Sequence, residues 1–287
     1  MLKKKIAITA LTAAAALLAG SALAATTTLS NGTLTARIND AGTFADSVSD
    51  PAGSPDGSPG LSYGGVEFVN RGTPMSWYWF QNSAGDSVAS LGSNPLSATT
   101  YGAGPSATVS MSFGALTFVQ TIAITAPNVL SVNVGITNNG ADMRGVRWGV
   151  GFDPDQGISL GGGFETINTI LGQGTGAAVV ADYGGHSVTL RNTTSAGASS
   201  IAAYIDPFSC CSPVDPLTAL GGGQLAGFSL FNDNSISLAY DIGTLGAGQT
   251  ASIGYEYVFA VPEPGTYGML LAGLGLIGVM VRRRTAA

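Results

Sequence analysis

The chain has 287 residues, of which 10% are charged, 42 are glycine and 13 are proline. Its formal net charge is −6; between residues 25 and 260, five arginines and no lysine stand against sixteen acidic residues, which gives −11 for that stretch. An acidic surface without lysine argues against binding to nucleic acid or anionic lipid, because both need a basic footprint. The length suits one large β domain or two small ones.

The N-terminus has the three parts of a secretory signal peptide. Residues 3–5 are lysines, residues 6–18 are apolar, and Ala22 and Ala24 are small residues at the two positions that a signal peptidase reads. We expect export through the Sec machinery and cleavage after Ala24. The alternatives are an uncleaved anchor and a buried helix.

Alternating apolar residues predict strands from residue 29 onward. Asn31-Gly32 between apolar residues is typical of a two-residue hairpin turn. Residues 46–60 hold several Pro and Asp-Gly breakers and are expected to form a loop.

Four consecutive aromatic residues form the first strong strand signal, Trp77-Tyr78-Trp79-Phe80. Successive side chains of a strand point to opposite faces, so Trp77 and Trp79 share one face and Tyr78 and Phe80 the other. Exposed rings at Trp77, Tyr78 or Trp79 would suit contact with carbohydrate. Packing between sheets is the alternative.

Regular alternation continues over residues 107–152. The strands at 109–113, 116–124 and 130–136 follow each other with short turns, which predicts an antiparallel meander, and residues 146–152 are expected to pair with the last of them. Weaker strands are expected at 179–181, 188–190, 201–205, 225–230, 236–242 and 251–260. Many short strands separated by glycine turns predict an all-β fold, a large antiparallel β-sandwich.

Asp153-Pro154-Asp155-Gln156-Gly157 places two carboxylates in one glycine turn directly after the best-defined strand. Such a turn can start a Ca²⁺ site, and Asp153 and Asp155 are the candidate ligands. The alternative is a polar turn whose aspartates cap backbone amides. No other cofactor is expected.

The run from Asn31 to Phe80, together with Asp153-Pro154-Asp155-Gln156, resembles large β-supersandwich domains of carbohydrate-handling proteins. No catalytic motif of such enzymes accompanies it. A glycosidase would need two carboxylates across a cleft, with Glu67, Glu165 and Glu256 as candidates.

Two further features carry little chemistry. His186 is the only histidine and is expected in a turn. The only cysteines are the neighbours Cys210 and Cys211, for which a vicinal disulfide, an intermolecular link and two free thiols all stay open.

The last 27 residues combine three features in a fixed order. Pro262-Glu263-Pro264 is followed by an uncharged run over residues 265–281 and then by Arg282, Arg283 and Arg284. Seventeen helical residues at ~1.5 Å each span roughly 25 Å, slightly less than the hydrocarbon core of a membrane. Terminal arginines place that end of a transmembrane helix in the cytoplasm.

This order resembles the C-terminal sorting signal of PEP-CTERM proteins. The resemblance implies that the chain is an exosortase substrate in a Gram-negative bacterium. The exosortase would recognise Pro262, Glu263 and Pro264, and the arginine cluster would act as the cytoplasmic stop. A plain C-terminal anchor is the alternative.

The sequence therefore predicts a signal peptide (1–24), an exported all-β domain (25–260) and a sorting signal with a transmembrane helix (261–287). We expect an inner-membrane-anchored precursor that is moved to the cell surface or extracellular matrix. There it would serve as a non-catalytic matrix or adhesion component in contact with exopolysaccharide. A carbohydrate-binding module and a polysaccharide-active enzyme are the two alternatives.

Overall fold

A computed structural model describes residues 27–39, 41–44, 60–69, 76–90, 97–102 and 106–262. Most of these residues lie in strands, and the strand pairs are antiparallel, which confirms the all-β prediction. The strands are β1 (Thr27–Ser30), β2 (Leu34–Ile38), β3 (Leu61–Tyr63), β4 (Val66–Glu67), β5 (Ser76–Gln81), β6 (Ser87–Ala89), β7 (Ser97–Gly102), β8 (Ser106–Phe113), β9 (Leu116–Ala126), β10 (Val129–Asn138), β11 (Met143–Phe152), β12 (Thr166–Gly172), β13 (Ala178–Tyr183), β14 (His186–Asn192), β15 (Ser200–Ile205), β16 (Ser229–Asn232), β17 (Ile236–Leu245) and β18 (Thr250–Ala260).

Helical segments in these ranges are short: α1 (Gln156–Ser159), a 3₁₀ turn (Gly174–Gly176) and α2 (Pro216–Gly221). Among the described residues no helix has the length and apolar character needed to span a membrane.

The strands form three sheets. The nine-stranded sheet has the order β16-β12-β13-β14-β18-β10-β9-β8-β7, and the five-stranded sheet has the order β15-β17-β11-β5-β6. A four-stranded sheet, β1-β2-β3-β4, begins with the predicted hairpin. The side chain of Asn31 closes that hairpin by accepting hydrogen bonds from the amides of Thr33 and Leu34, and Gly32 supplies the positive φ of 91° that the turn needs.

The core lies between the two larger sheets, whose aromatic rings meet in edge-to-face or tilted pairs. Phe80 of β5 lies 5.4 Å from Phe118 of β9, and Phe152 of β11 lies 5.5 Å from Tyr257 of β18, as measured between ring centroids. Trp148 of β11 is fully buried and contacts Phe118 at 5.5 Å. Such pairs contribute about 0.5–1.5 kcal/mol each beyond the area they bury.

The predicted meander is confirmed for β8, β9 and β10, which are neighbours in the nine-stranded sheet. The predicted pairing of β10 with β11 is wrong, because β10 lies between β9 and β18 and has no free edge. The chain crosses to the other sheet after Asn138. The side-chain amide of Asn138 donates to the carbonyls of Ala141 at 2.7 Å and Leu245 at 2.9 Å and so holds the crossing in place.

Candidate functional site

Two acidic loops meet at one end of the five-stranded sheet. The loop between β11 and α1 contains Asp153 and Asp155, and the loop between β16 and β17 contains Asp233. Strand register brings the loops together, since Phe152 at the end of β11 pairs with Ile236 at the start of β17. Residues about 80 positions apart in the sequence are therefore neighbours here.

The three aspartates form a compact cluster. One carboxylate oxygen from each of Asp153, Asp155 and Asp233 lies within 4.8 Å of those of the other two. Asp153 and Asp155 expose only 2% and 1% of their surface, whereas Asp233 is half-buried. Within the described part of the chain, both oxygens of Asp155, and Oδ1 of Asp153 and of Asp233, have no hydrogen-bond partner. Buried carboxylate oxygens without partners are rare, because each loses its hydration without replacement.

Burial shifts the acidity of the cluster. It raises the pKa of Asp153 to about 8, with a further contribution from the charge of Asp233. It raises the pKa of Asp155 to about 9, with contributions from Asp153 and Asp233. The pKa of Asp233 is also raised, by burial and by the nearby carboxylate of Glu165. Each shift has the same cause: an ionised carboxylate has lost water and faces like charge.

The capping alternative is wrong for Asp155. Asp155 is the N-cap residue of α1, but its side chain makes no capping hydrogen bond. Asp215, the N-cap residue of α2, shows the contrast: its Oδ1 accepts a hydrogen bond from the amide of Leu217 at 2.8 Å. The carboxylate of Asp155 therefore serves no visible role in its own turn.

The backbone around Asp155 is nevertheless well held. Its amide donates to the carbonyl of Phe68 at 2.9 Å, and Ser159 of α1 donates to the carbonyl of Glu67 at 3.2 Å. The side-chain amide nitrogen of the next residue, Gln156, donates to the carbonyls of Ala181 and His186. The four-stranded and nine-stranded sheets both contribute to holding the Asp155 turn.

A disulfide joins Cys210 and Cys211 beside the cluster, with Cα atoms 3.7 Å apart, so the vicinal option is the one the structure adopts. The sulfur of Cys211 lies 3.8 Å from Oδ2 of Asp153. Sulfurs in a disulfide carry neither proton nor charge, so this contact is not a hydrogen bond and the pair offers no thiolate ligand.

The predicted faces of the aromatic strand are confirmed, but two of the predicted carbohydrate contacts are corrected. Tyr78 is 2% exposed and stacks on Trp148 at 5.0 Å in the core. Trp77 is 1% exposed and packs beneath α2, against Tyr204 and Ala219. Neither ring is available to a sugar. Trp79 is half-buried, and its contact with carbohydrate stays a prediction.

The three candidate glutamates lie in different environments. Oε1 of Glu67, which is buried, accepts hydrogen bonds from the amides of Leu61 and Val69. Glu256 pairs with Arg191 at 2.7 Å between Oε2 and the guanidinium nitrogen. Glu165 is exposed and acts on Asp233 by charge. The structure brings only Glu165 towards the acidic cluster.

Asp233 is the member of the cluster that sequence reasoning missed. Its only local signal is the polar run Asn232-Asp233-Asn234-Ser235 between two strands. The loop is fixed by hydrogen bonds to the segment after β15: Asn234 donates to the carbonyl of Asp206 at 2.6 Å, and the amide of Ser235 donates to that of Ser209 at 3.2 Å.

Most residues of the two predicted terminal signals lie outside the described ranges. These are Ala22, Ala24, Glu263, Pro264, Arg282, Arg283 and Arg284. Pro262 is described and follows β18 by two residues; it packs close to Gly185, where an added Cβ would lie 3.1 Å from its ring.

Comparison with known proteins identifies the C-terminal segment. Residues 260–284 match the PEP-CTERM protein-sorting motif, which confirms the resemblance seen in the sequence. No curated protein matches the sequence.

Two solved structures superpose in part on the backbone of this chain. A proposed aldose 1-epimerase from Escherichia coli K12 has 12% identity and a TM-score of 0.48, over 82% of this chain and 98% of its own. A proposed kojibiose phosphorylase from the human microbiome has 11% identity and a TM-score of 0.38, over 88% of this chain; the match spans 32% of that protein's length. These values are too low to assign this chain either protein's fold or activity.

Proposed function

We propose that this PEP-CTERM protein is a non-catalytic component of the extracellular polysaccharide matrix, or an adhesion protein of the same layer. Its β domain is, on this proposal, a sandwich of the supersandwich type. A PEP-CTERM motif implies an exported protein of a Gram-negative bacterium that is anchored in the membrane, processed by an exosortase and sorted to the surface. The observation that carries the proposal is the motif at residues 260–284, which begins at the last residue of β18.

The composition of the exported part supports this role. Five arginines, no lysine and sixteen acidic residues between 25 and 260 give an acidic surface. Such a surface keeps a protein soluble and disfavours adhesion to anionic lipid, so the attachment that matters comes from the C-terminal segment. The signal-peptidase step at Ala22 and Ala24 and passage through the Sec machinery belong to the same proposal.

The polysaccharide-active alternative is not favoured by the described residues. Retaining and inverting glycosidases place two carboxyl groups about 5–5.5 Å or 6.5–9.5 Å apart on either side of a sugar. Of the carboxylates that come close here, Asp153 and Asp155 are almost fully buried and Asp233 is half-buried. A polymer cannot reach Asp153 or Asp155 without opening the loops.

The first test measures intact mass and location in the native host. Wild type is compared with a triple variant, Pro262→Ala, Glu263→Ala and Pro264→Ala, and with Val261→Ala as a control next to the motif. We expect wild type and control to lose the segment after the motif and to appear in the extracellular polysaccharide fraction, while the triple variant stays full-length in the membrane.

Two results would contradict the proposal. Retention of the tail in wild type would mean a plain membrane anchor. Normal cleavage followed by recovery of the mature protein only in the free culture medium would remove the matrix role while leaving the sorting intact.

A further inference from the structure

The acidic cluster holds more negative charge than its surroundings neutralise. Asp153 and Asp155 are at least 98% buried, and three of their four oxygens lack any hydrogen-bond partner among the described residues. The fourth, Oδ2 of Asp153, lies 3.8 Å from the uncharged sulfur of Cys211. An ionised carboxylate in such a place is costly unless a positive charge or a proton joins it.

One oxygen from each of the three aspartates lies close enough to the other two for a single ion to be shared. Two oxygens on opposite sides of a Ca²⁺ ion, each bound at about 2.3–2.6 Å, are separated by roughly 5 Å. The limit of 4.8 Å between the oxygens of Asp153, Asp155 and Asp233 fits within that span. Small rotations of the three side chains would be enough to bring one oxygen of each to the distance at which Ca²⁺ is bound.

We propose that Asp153, Asp155 and Asp233 together bind a single hard divalent cation of the calcium type. Three carboxylates and no thiolate form an oxygen-only ligand set, which suits Ca²⁺ rather than a soft transition metal. Calcium accepts six to eight ligands, so water and neighbouring carbonyl groups would complete the shell. Asp233, half-buried, provides the side from which the ion enters.

Two amide side chains adjacent in sequence to the proposed ligands would supply further oxygen ligands. The side-chain oxygens of Gln156 and Asn234 are buried and lack partners, although the amide nitrogen of each is hydrogen-bonded. Each follows a proposed ligand directly in the chain. A cation at the cluster would bind these oxygens in place of a hydrogen-bond donor from the protein.

The position of the site gives the ion a structural task. Asp233 lies where the chain passes from β16 of the nine-stranded sheet to β17 of the five-stranded sheet. Asp153 and Asp155 lie in the loop between β11 and α1. A bound ion would tie these loops together and reduce repulsion among their carboxylates. Extracellular calcium modules with dissociation constants of about 10⁻⁴–10⁻³ M use the same principle.

The test is calcium binding by the purified full-length chain in detergent after removal of metal with EDTA. Equilibrium dialysis against CaCl₂ gives the stoichiometry, and thermal unfolding followed by tryptophan fluorescence gives the effect on the fold. All three tryptophans of the chain lie in β5 and β11, so their emission reports on the domain that holds the cluster. MgCl₂ serves as the comparison salt.

We expect one Ca²⁺ per chain and an unfolding temperature that rises with CaCl₂ more than with MgCl₂. Asp155→Asn and Asp233→Asn should each weaken binding at least tenfold, since even loss of groups behind metal ligands costs about 10–100-fold. Asp142→Asn is the matched control: its carboxylate is exposed and accepts a hydrogen bond from the amide of Ala247, and binding should be unchanged.

Wild type without calcium binding would overturn the inference, as would equal binding by Asp155→Asn and wild type. If Asp155→Asn does not fold, the half-buried Asp233→Asn decides the question. The result is independent of exosortase processing, because the full-length chain is used throughout.

Discussion

The acidic cluster should make the metal-free protein less stable as the pH rises. Asp153 and Asp155 have pKa values of about 8 and about 9 in the folded chain, against 3.8 for a free side chain. At a pH between the pKa of the unfolded chain and those of the folded chain, the folded protein holds protons that the unfolded chain has released. Raising the pH therefore favours unfolding, and the stabilising effect, complete below pH 3.8, is lost as the pH rises towards 8–9.

The size of the effect follows from the number of protons held. Each retained proton changes the free energy of unfolding by about 1.4 kcal/mol per pH unit. Because both pKa values lie above 7, the folded cluster keeps two protons across this range that the unfolded chain has released. From pH 5 to pH 7 in EDTA, the cluster alone should therefore lower the free energy of unfolding by about 5 kcal/mol, and by about half of that in Asp155→Asn, which keeps one of the two protons.

Urea unfolding in EDTA, followed by tryptophan fluorescence at pH 5, 6 and 7, measures this slope. The comparison is Asp155→Asn, which keeps the side-chain shape and cannot ionise; it should be at least as stable as wild type in EDTA at pH 7 and should show a smaller slope. Calcium should reverse this order, because only wild type gains from the ion. His186, the only histidine, is present in both proteins, so the difference in slope excludes it.

A flat or rising stability of wild type from pH 5 to pH 7 in EDTA would refute this reasoning. So would a slope that Asp155→Asn leaves unchanged, because the proton would then be held elsewhere.

Two further predictions concern the sheets. A Cβ at Gly151 would lie 2.5 Å from the indole of Trp77, so Gly151→Ala should lower the free energy of unfolding by about 1–3 kcal/mol in urea titrations. A Cβ at Gly149 would lie 3.1 Å from its nearest neighbour, a proline ring carbon, so Gly149→Ala should lower it by less. Equal effects of the two substitutions would contradict this packing. In the ion pair of Arg191 with Glu256, half of the arginine side chain is exposed. Arg191→Ala should therefore change the free energy of unfolding by less than about 1 kcal/mol. A larger loss would mean that the ion pair is shielded from water.

Strands with ordinary alternation were predictable from the sequence, and a strand with inverted alternation was not. In β12 the buried positions include the polar Thr166 and Asn168, while the apolar Ile167 and Leu171 are exposed at 48% and 52%. Thr166 donates to Asn168, so hydrogen bonding rather than hydrophobicity fills that part of the interior. A period-two pattern of apolar residues does not exist there to be read.

The sequence also could not predict which sheet each strand joins. The alternation of residues 146–152 correctly predicts β11 but says nothing about its partner. Adjacent strands usually pair, which favoured β10. The two edges of β10 are instead filled by β9 and β18, and β18 comes more than 100 residues later. Long-range pairing of this kind leaves no trace in a local pattern.

The candidate site shows the same division between local and distant information. The turn Asp153-Pro154-Asp155 identified two of the proposed ligands, because two acids so close in sequence must lie close in space. Asp233 could not be added without the pairing of Phe152 with Ile236. Two carboxylates in one turn are compatible with capping. Capping does not explain three carboxylates from two loops, four of whose oxygens have no hydrogen-bond partner among the described residues. The register between β11 and β17 therefore adds Asp233 to a common acidic turn and so forms the cluster.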